Sequence, residues 1–147
     1  MLLVACDNKE PDNKPGKVEN GNYVGTVSVK QTDGSTYVQD STEVELKVLT
    51  ADSIQLIMKQ VKFTAAMPIS LDMTIPSILS EEKADNSLLL SGNKITPWAM
   101  GAPYTAALIN SLEGNATETT LVLSFNCEMS MQGRSGVYPL TFSGTKK

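Results

Sequence analysis

The sequence predicts a single all-β domain, an antiparallel up-and-down barrel of about eight strands, with a two-sheet β-sandwich as the alternative. Three observations carry that prediction. Apolar residues recur at every second position over several segments, turn residues separate those segments about every ten positions, and a chain of 147 residues suits one domain. With 41% hydrophobic and 19% charged residues the chain can bury a core, which excludes disorder of the whole. A meander leaves two exposed edges unless its first and last strands pair, and closure removes them.

The alternation begins at Gly21. Tyr23, Gly25, Val27 and Val29 share one face and Val24, Thr26, Ser28 and Lys30 the other, and Asp33-Gly34 follows as a hairpin turn. Glu43-Val44-Glu45-Leu46-Lys47-Val48 is the clearest half-buried strand. Ile54, Leu56 and Met58 form the next set, then Val61, Phe63 and Ala65 opposite Lys62 and Thr64. Ile69, Leu71, Met73 and Ile75 alternate with Ser70, Asp72 and Thr74 between Pro68 and Pro76, each proline able to end a ladder because it lacks an N–H. A short helical turn is expected near 77–84. Leu88-Leu89-Leu90 is a short apolar run closed by Gly92. Leu121, Leu123, Phe125, Cys127 and Met129 then point inward, with Ser124, Asn126 and Glu128 outward. Gly133 to Gly136 are expected to turn the chain into a last strand carrying Tyr138, Leu140 and Phe142.

An eight-stranded barrel either fills its interior with side chains or holds one small ligand. The candidate lining is Tyr23, Leu46, Met58, Phe63, Met73, Phe125 and Met129. Seven methionines suit either outcome, since Met fills irregular gaps and lines adaptable pockets. Outside the strands, Ile95 to Tyr104 concentrates aromatic, small and proline residues in a chain with 5% aromatics. Trp98, Met100 and Tyr104 are therefore candidate ligand or partner contacts, although a loop plugging one barrel mouth needs the same residues.

Charge and composition remove other classes. A net charge of −4 and the absence of His argue against a grip on nucleic acid and take away the commonest general base and zinc ligand. No cofactor, metal site or catalytic residue is expected. Glu81, Glu82 and Asp85 read as a solvated helix end; Glu43 and Glu45, about 7 Å apart along one strand, read as outward charges. Gly133-Arg134-Ser135-Gly136 lacks the strand-to-helix setting of a phosphate loop.

Leu3-Val4-Ala5-Cys6 resembles the lipobox of bacterial lipoproteins, with Cys6 as the lipid-bearing residue. Residues 1–6 then form a signal remnant, 7–20 a polar tether and 21–147 the barrel domain. Asp7 and Glu10 resemble the acidic address that carries some lipoproteins to the outer face of the outer membrane. No apolar run approaches the roughly 18 residues of a membrane-spanning helix, so a lipid would be the membrane contact. With Cys6 lipidated, Cys127 has no disulfide partner and reads as a small buried hydrophobe. Asp40-Ser41-Thr42 and Asp52-Ser53-Ile54 resemble a bacterial O-glycosylation signal, which makes Ser41 and Ser53 candidate acceptors at the two ends of one strand.

Gly21-Asn22-Tyr23-Val24-Gly25-Thr26-Val27, Val61-Lys62-Phe63 and Tyr138-Pro139-Leu140-Thr141-Phe142-Ser143-Gly144-Thr145-Lys146 look like the calycin-like β-barrel lipoproteins of Gram-negative gut anaerobes. The likeness covers most of residues 20 to 146. It implies a small closed or nearly closed barrel on a lipid tether and confers no catalytic residue. True lipocalins place Gly-x-Trp on the first strand, whereas the sole Trp here, Trp98, lies mid-chain. The expectation is a non-enzymatic outer-membrane lipoprotein, facing the periplasm or the cell surface, whose barrel binds a small hydrophobic ligand or an envelope partner. The alternative is an adhesion or assembly module with a filled barrel that acts through its loops.

Overall fold

Residues that alternate apolar and polar bury one face of a pleated strand and wet the other, and the described residues form ten strands. The structure, a computed structural model, describes residues 18–62, 70–131 and 134–147. Its strands are β1 (Gly21–Lys30), β2 (Thr36–Thr50), β3 (Ser53–Val61), β4 (Leu71–Glu82), β5 (Leu88–Gly92), β6 (Trp98–Ala99), β7 (Ala102–Pro103), β8 (Ala107–Ala116), β9 (Thr120–Met131) and β10 (Arg134–Lys146). Among the described residues there is no helix. Eight strands close into an antiparallel barrel in the order β1-β2-β3-β4-β5-β8-β9-β10, with β10 pairing back onto β1; the short β6–β7 hairpin hangs on the free edge of β4. The open β-sandwich is thereby set aside.

The inward set is continuous. Tyr23, Val44, Met58, Met73 and Ala99 lie opposite one another on successive strands, and none is more than 6% exposed. At about 1.5–3 kcal/mol for each large apolar side chain fully removed from water, such rows are the main force that holds the wall curved. Closure is tightest at Gly25, where a Cβ would stand 2.0 Å from the Ser143 carbonyl oxygen.

Bulges bend the strands. Ser41, Gln60 and Ser111 have φ of 56°, 53° and 56°, and each coincides with a register shift in its ladder. Side chains replace the interrupted backbone bonds. Gln39 donates to the Gln60 carbonyl at 2.7 Å and accepts from the Lys62 N–H at 3.1 Å.

Three expectations are corrected. The helical turn near 77–84 is absent: β4 continues to Glu82, and the turn that follows carries Asn86 N–H to Lys83 O at 2.9 Å. Pro76 does not end the ladder; it sits at a register shift opposite Gln55, where its missing N–H is tolerated. That shift puts Ile75 and Ile78 on the same inner face, a spacing of three that imitates a helix. Ser135 and Gly136 belong to β10 and not to a turn, Gly136 pairing with Met129.

Candidate functional site

The wall has one irregular panel. β5 is only five residues long, so the gap between the first half of β4 and the first half of β8 is closed by residues 93–104. The Asn93 side chain accepts the Ser111 N–H at 3.0 Å, the Asn110 side chain accepts the Lys94 N–H at 2.9 Å, and Ile95 bridges to Ile109. The chain then crosses to β4, where Trp98 and Ala99 pair with Thr74 and Met73. Met100 and Gly101 reverse it with φ of 53° and 80°, the two positive values of a type I′ hairpin turn. The Tyr104 N–H donates to the Pro97 carbonyl at 2.8 Å and closes the base.

Side chains of this panel divide by face. Pro97 and Ala99 are buried, and Ile95 and Tyr104 are half-buried, packed against the core. Trp98 and Met100 face outward, 42% and 77% exposed. Of the three candidate contacts, then, the structure brings Trp98 and Met100 together and gives Tyr104 to the core. The panel is wall on one face and display on the other.

Trp98 stands in an outward row. Glu45 lies opposite Ile57, Ile57 opposite Thr74, Thr74 opposite Trp98 and Trp98 opposite Pro103. A groove of about 640 Å³ follows this row and is lined by Gln55, Ile57, Asp72, Thr74, Pro76 and the Trp98–Gly101 hairpin. The Asp72 carboxylate accepts the Gln60 N–H at 2.9 Å, so the αL bulge at Gln60 holds that carboxylate in place. Lys59, on the same face, is committed to Glu43 at 3.2 Å and Glu45 at 3.8 Å; Lys47, opposite Gln55, lies 4.0 Å from Glu45, and among the described residues no cation lines the groove itself.

Orientation follows from topology. Val18, where the described chain enters, borders a hollow with Val48, Ile54, Glu82 and Leu88, at the barrel end that holds the last residues of β2 and β4. β6 runs antiparallel to β4 beside Met73 and Thr74, so the Met100-Gly101 tip points to the opposite end.

The candidate lining residues Tyr23, Leu46, Met58, Met73, Phe125 and Met129 all point inward and are at most 3% exposed; Phe63 lies outside the described residues, as does Cys6. A rim depression of about 380 Å³ includes Met129 in its lining. The Tyr23 hydroxyl donates to the Thr117 carbonyl at 2.8 Å, and burial raises its pKa. Burial, with Glu128 adding to it, pushes the Cys127 thiol up to about 12. Ser41 is exposed, but it lies at the bulge within β2 and not at a strand end; Ser53 opens β3, half-buried, with its hydroxyl 2.8 Å from that of Thr50. Among the described residues no three acidic or Cys side chains gather into a metal-binding group.

The chain matches no family model, no curated protein and no solved structure. Sequence reasoning finds Trp98 and Met100 because aromatics are scarce. It misses Asp72, Gln55 and Pro76, which join the groove only through strand register.

Proposed function

We propose that this protein is a non-enzymatic recognition module, held on the outer membrane by lipid on Cys6, whose barrel is a scaffold and whose binding surface is the outer groove beside Trp98. One observation carries the reading. A Trp and a Met stand solvent-exposed on a hairpin at the barrel end opposite chain entry, where a tethered domain meets what approaches from outside. Met100 occupies a left-handed backbone position at a cost of roughly 1 kcal/mol, and strain of this kind persists where the surroundings over-determine it. The interior is consistent with the reading, because the six described lining candidates are at most 3% exposed. The chain has no His, the commonest general base, and its exposed Trp–Met hairpin offers a binding surface.

Hydroxyl-radical footprinting of the protein in its native envelope and after purification tests this. Oxidation of Met100 and Trp98 is expected to fall several-fold in the envelope, with buried Met58 and Met73 unreactive in both preparations. Equal oxidation in the two states contradicts the groove as the binding surface. Intact mass of the same material is expected to show diacylglycerol on Cys6; an unmodified Cys6 contradicts the anchor.

A further inference from the structure

We infer that the groove beside Trp98 binds a neutral saccharide, with one pyranose ring stacked on the indole through an unbroken face of axial C–H groups. The inference rests on the outer groove being the binding surface and names its ligand class. A pyranose with equatorial substituents is apolar on its faces and polar round its rim, and the groove is built the same way. Trp98 offers one exposed aromatic plate, whose electron-rich face attracts polarised C–H groups. Ile57 and Pro76 extend the apolar floor beside it.

Around that floor stand Asp72, Gln55 and Thr74. A carboxylate accepts, an amide both donates and accepts, and a hydroxyl does either, so together they match adjacent ring hydroxyls, each of which donates and accepts. Asp72 is held in place by the Gln60 N–H, which lowers the ordering cost of binding. The same set argues against other occupants. An acyl chain would desolvate Asp72 and Gln55 with nothing in return. An acidic sugar would meet the Asp72 carboxylate, and among the described residues no cation lines the groove to offset it. A quaternary ammonium would find one aromatic wall where a cage needs several. The volume of about 640 Å³ lies in the range of about 300–1,000 Å³ typical of ligand sites and leaves room for a short oligosaccharide.

Trp98 is the sole tryptophan, so intrinsic fluorescence reads the site directly. Titration of the purified full chain with cellohexaose, laminarihexaose and β-1,4-galactohexaose is expected to shift Trp98 emission saturably with at least one of them, with Kd of about 1 mM or lower. By calorimetry, Trp98→Tyr is expected to retain binding and Trp98→Ala to lose it. Gln55→Leu and Thr74→Val are each expected to weaken it about tenfold by leaving ring hydroxyls unpaired, with the melting temperature unchanged. If none of the three sugars shifts the emission while acrylamide still quenches it, the saccharide is overturned; binding that survives Trp98→Ala overturns the stacking as well. A silent titration together with a protected Met100 in the envelope rejects the sugar while leaving the groove as a binding surface for a protein partner.

Discussion

Gly25 shows how little room single positions leave. Its strand passes so close to β10 that a methyl group would overlap the Ser143 carbonyl, and the ladder must open to admit one. Gly25→Ala is expected to cost about 1–3 kcal/mol, measured by urea unfolding; an unchanged midpoint contradicts the closure at β1–β10. Cys127 is equally constrained. With its thiol pushed up to about 12 by burial, it is expected to ignore a thiol-specific disulfide reagent at pH 8 and to react fully in guanidinium. Among the described residues three carboxylates have lowered pKa values. Glu43 is held below its usual 4.5 by hydrogen bonds from Lys147 and Lys59, Asp33 below 3.8 by Ser35, and Asp85 below 3.8 by Ser87. A lowered folded-state pKa adds stability that is present above the unfolded value and lost as pH falls through the folded one. The melting temperature is therefore expected to be flat from neutrality to about pH 5 and to fall below about pH 4.5, less steeply in Glu43→Gln.

At the scale of elements, bulges decide what the sequence discloses. Strict alternation places the inward residues of β1, the 54–58 part of β3, and β9 correctly, because nothing disturbs their phase. β8 escapes the pattern: Ala107 and Ile109 face inward, Ser111 adopts φ 56°, and the inward set resumes at Leu112. Ile75 and Ile78 mislead for the same reason, since the phase changes at Pro76. The groove was half legible: a rare Trp marks itself, whereas Asp72 and Gln55 reach it through pairings that no local pattern fixes. Bulges also shift the burden of pairing onto side chains. Gln39 carries the β2–β3 contact past the last ladder pair, Val44–Met58, with two hydrogen bonds, each worth about 1 kcal/mol net. Gln39→Ala is expected to lower stability by about 1–2 kcal/mol in urea unfolding, and a loss too small to measure would show that the ladder does not depend on it.

The described residues form a closed wall, and the proposed binding surface lies on one of its outer faces. Chain entry at Val18 and the Trp98–Met100 hairpin occupy opposite ends, so under the proposed anchor on Cys6 the hairpin end is the one left free to turn from the membrane. A single tryptophan makes that orientation measurable. Lipidated protein in vesicles containing brominated phospholipid is the most direct test: Trp98 emission is expected to be untouched by the bromolipid and strongly quenched by acrylamide from the water side. Quenching by the bromolipid would put the hairpin at the bilayer and contradict a groove that faces outward.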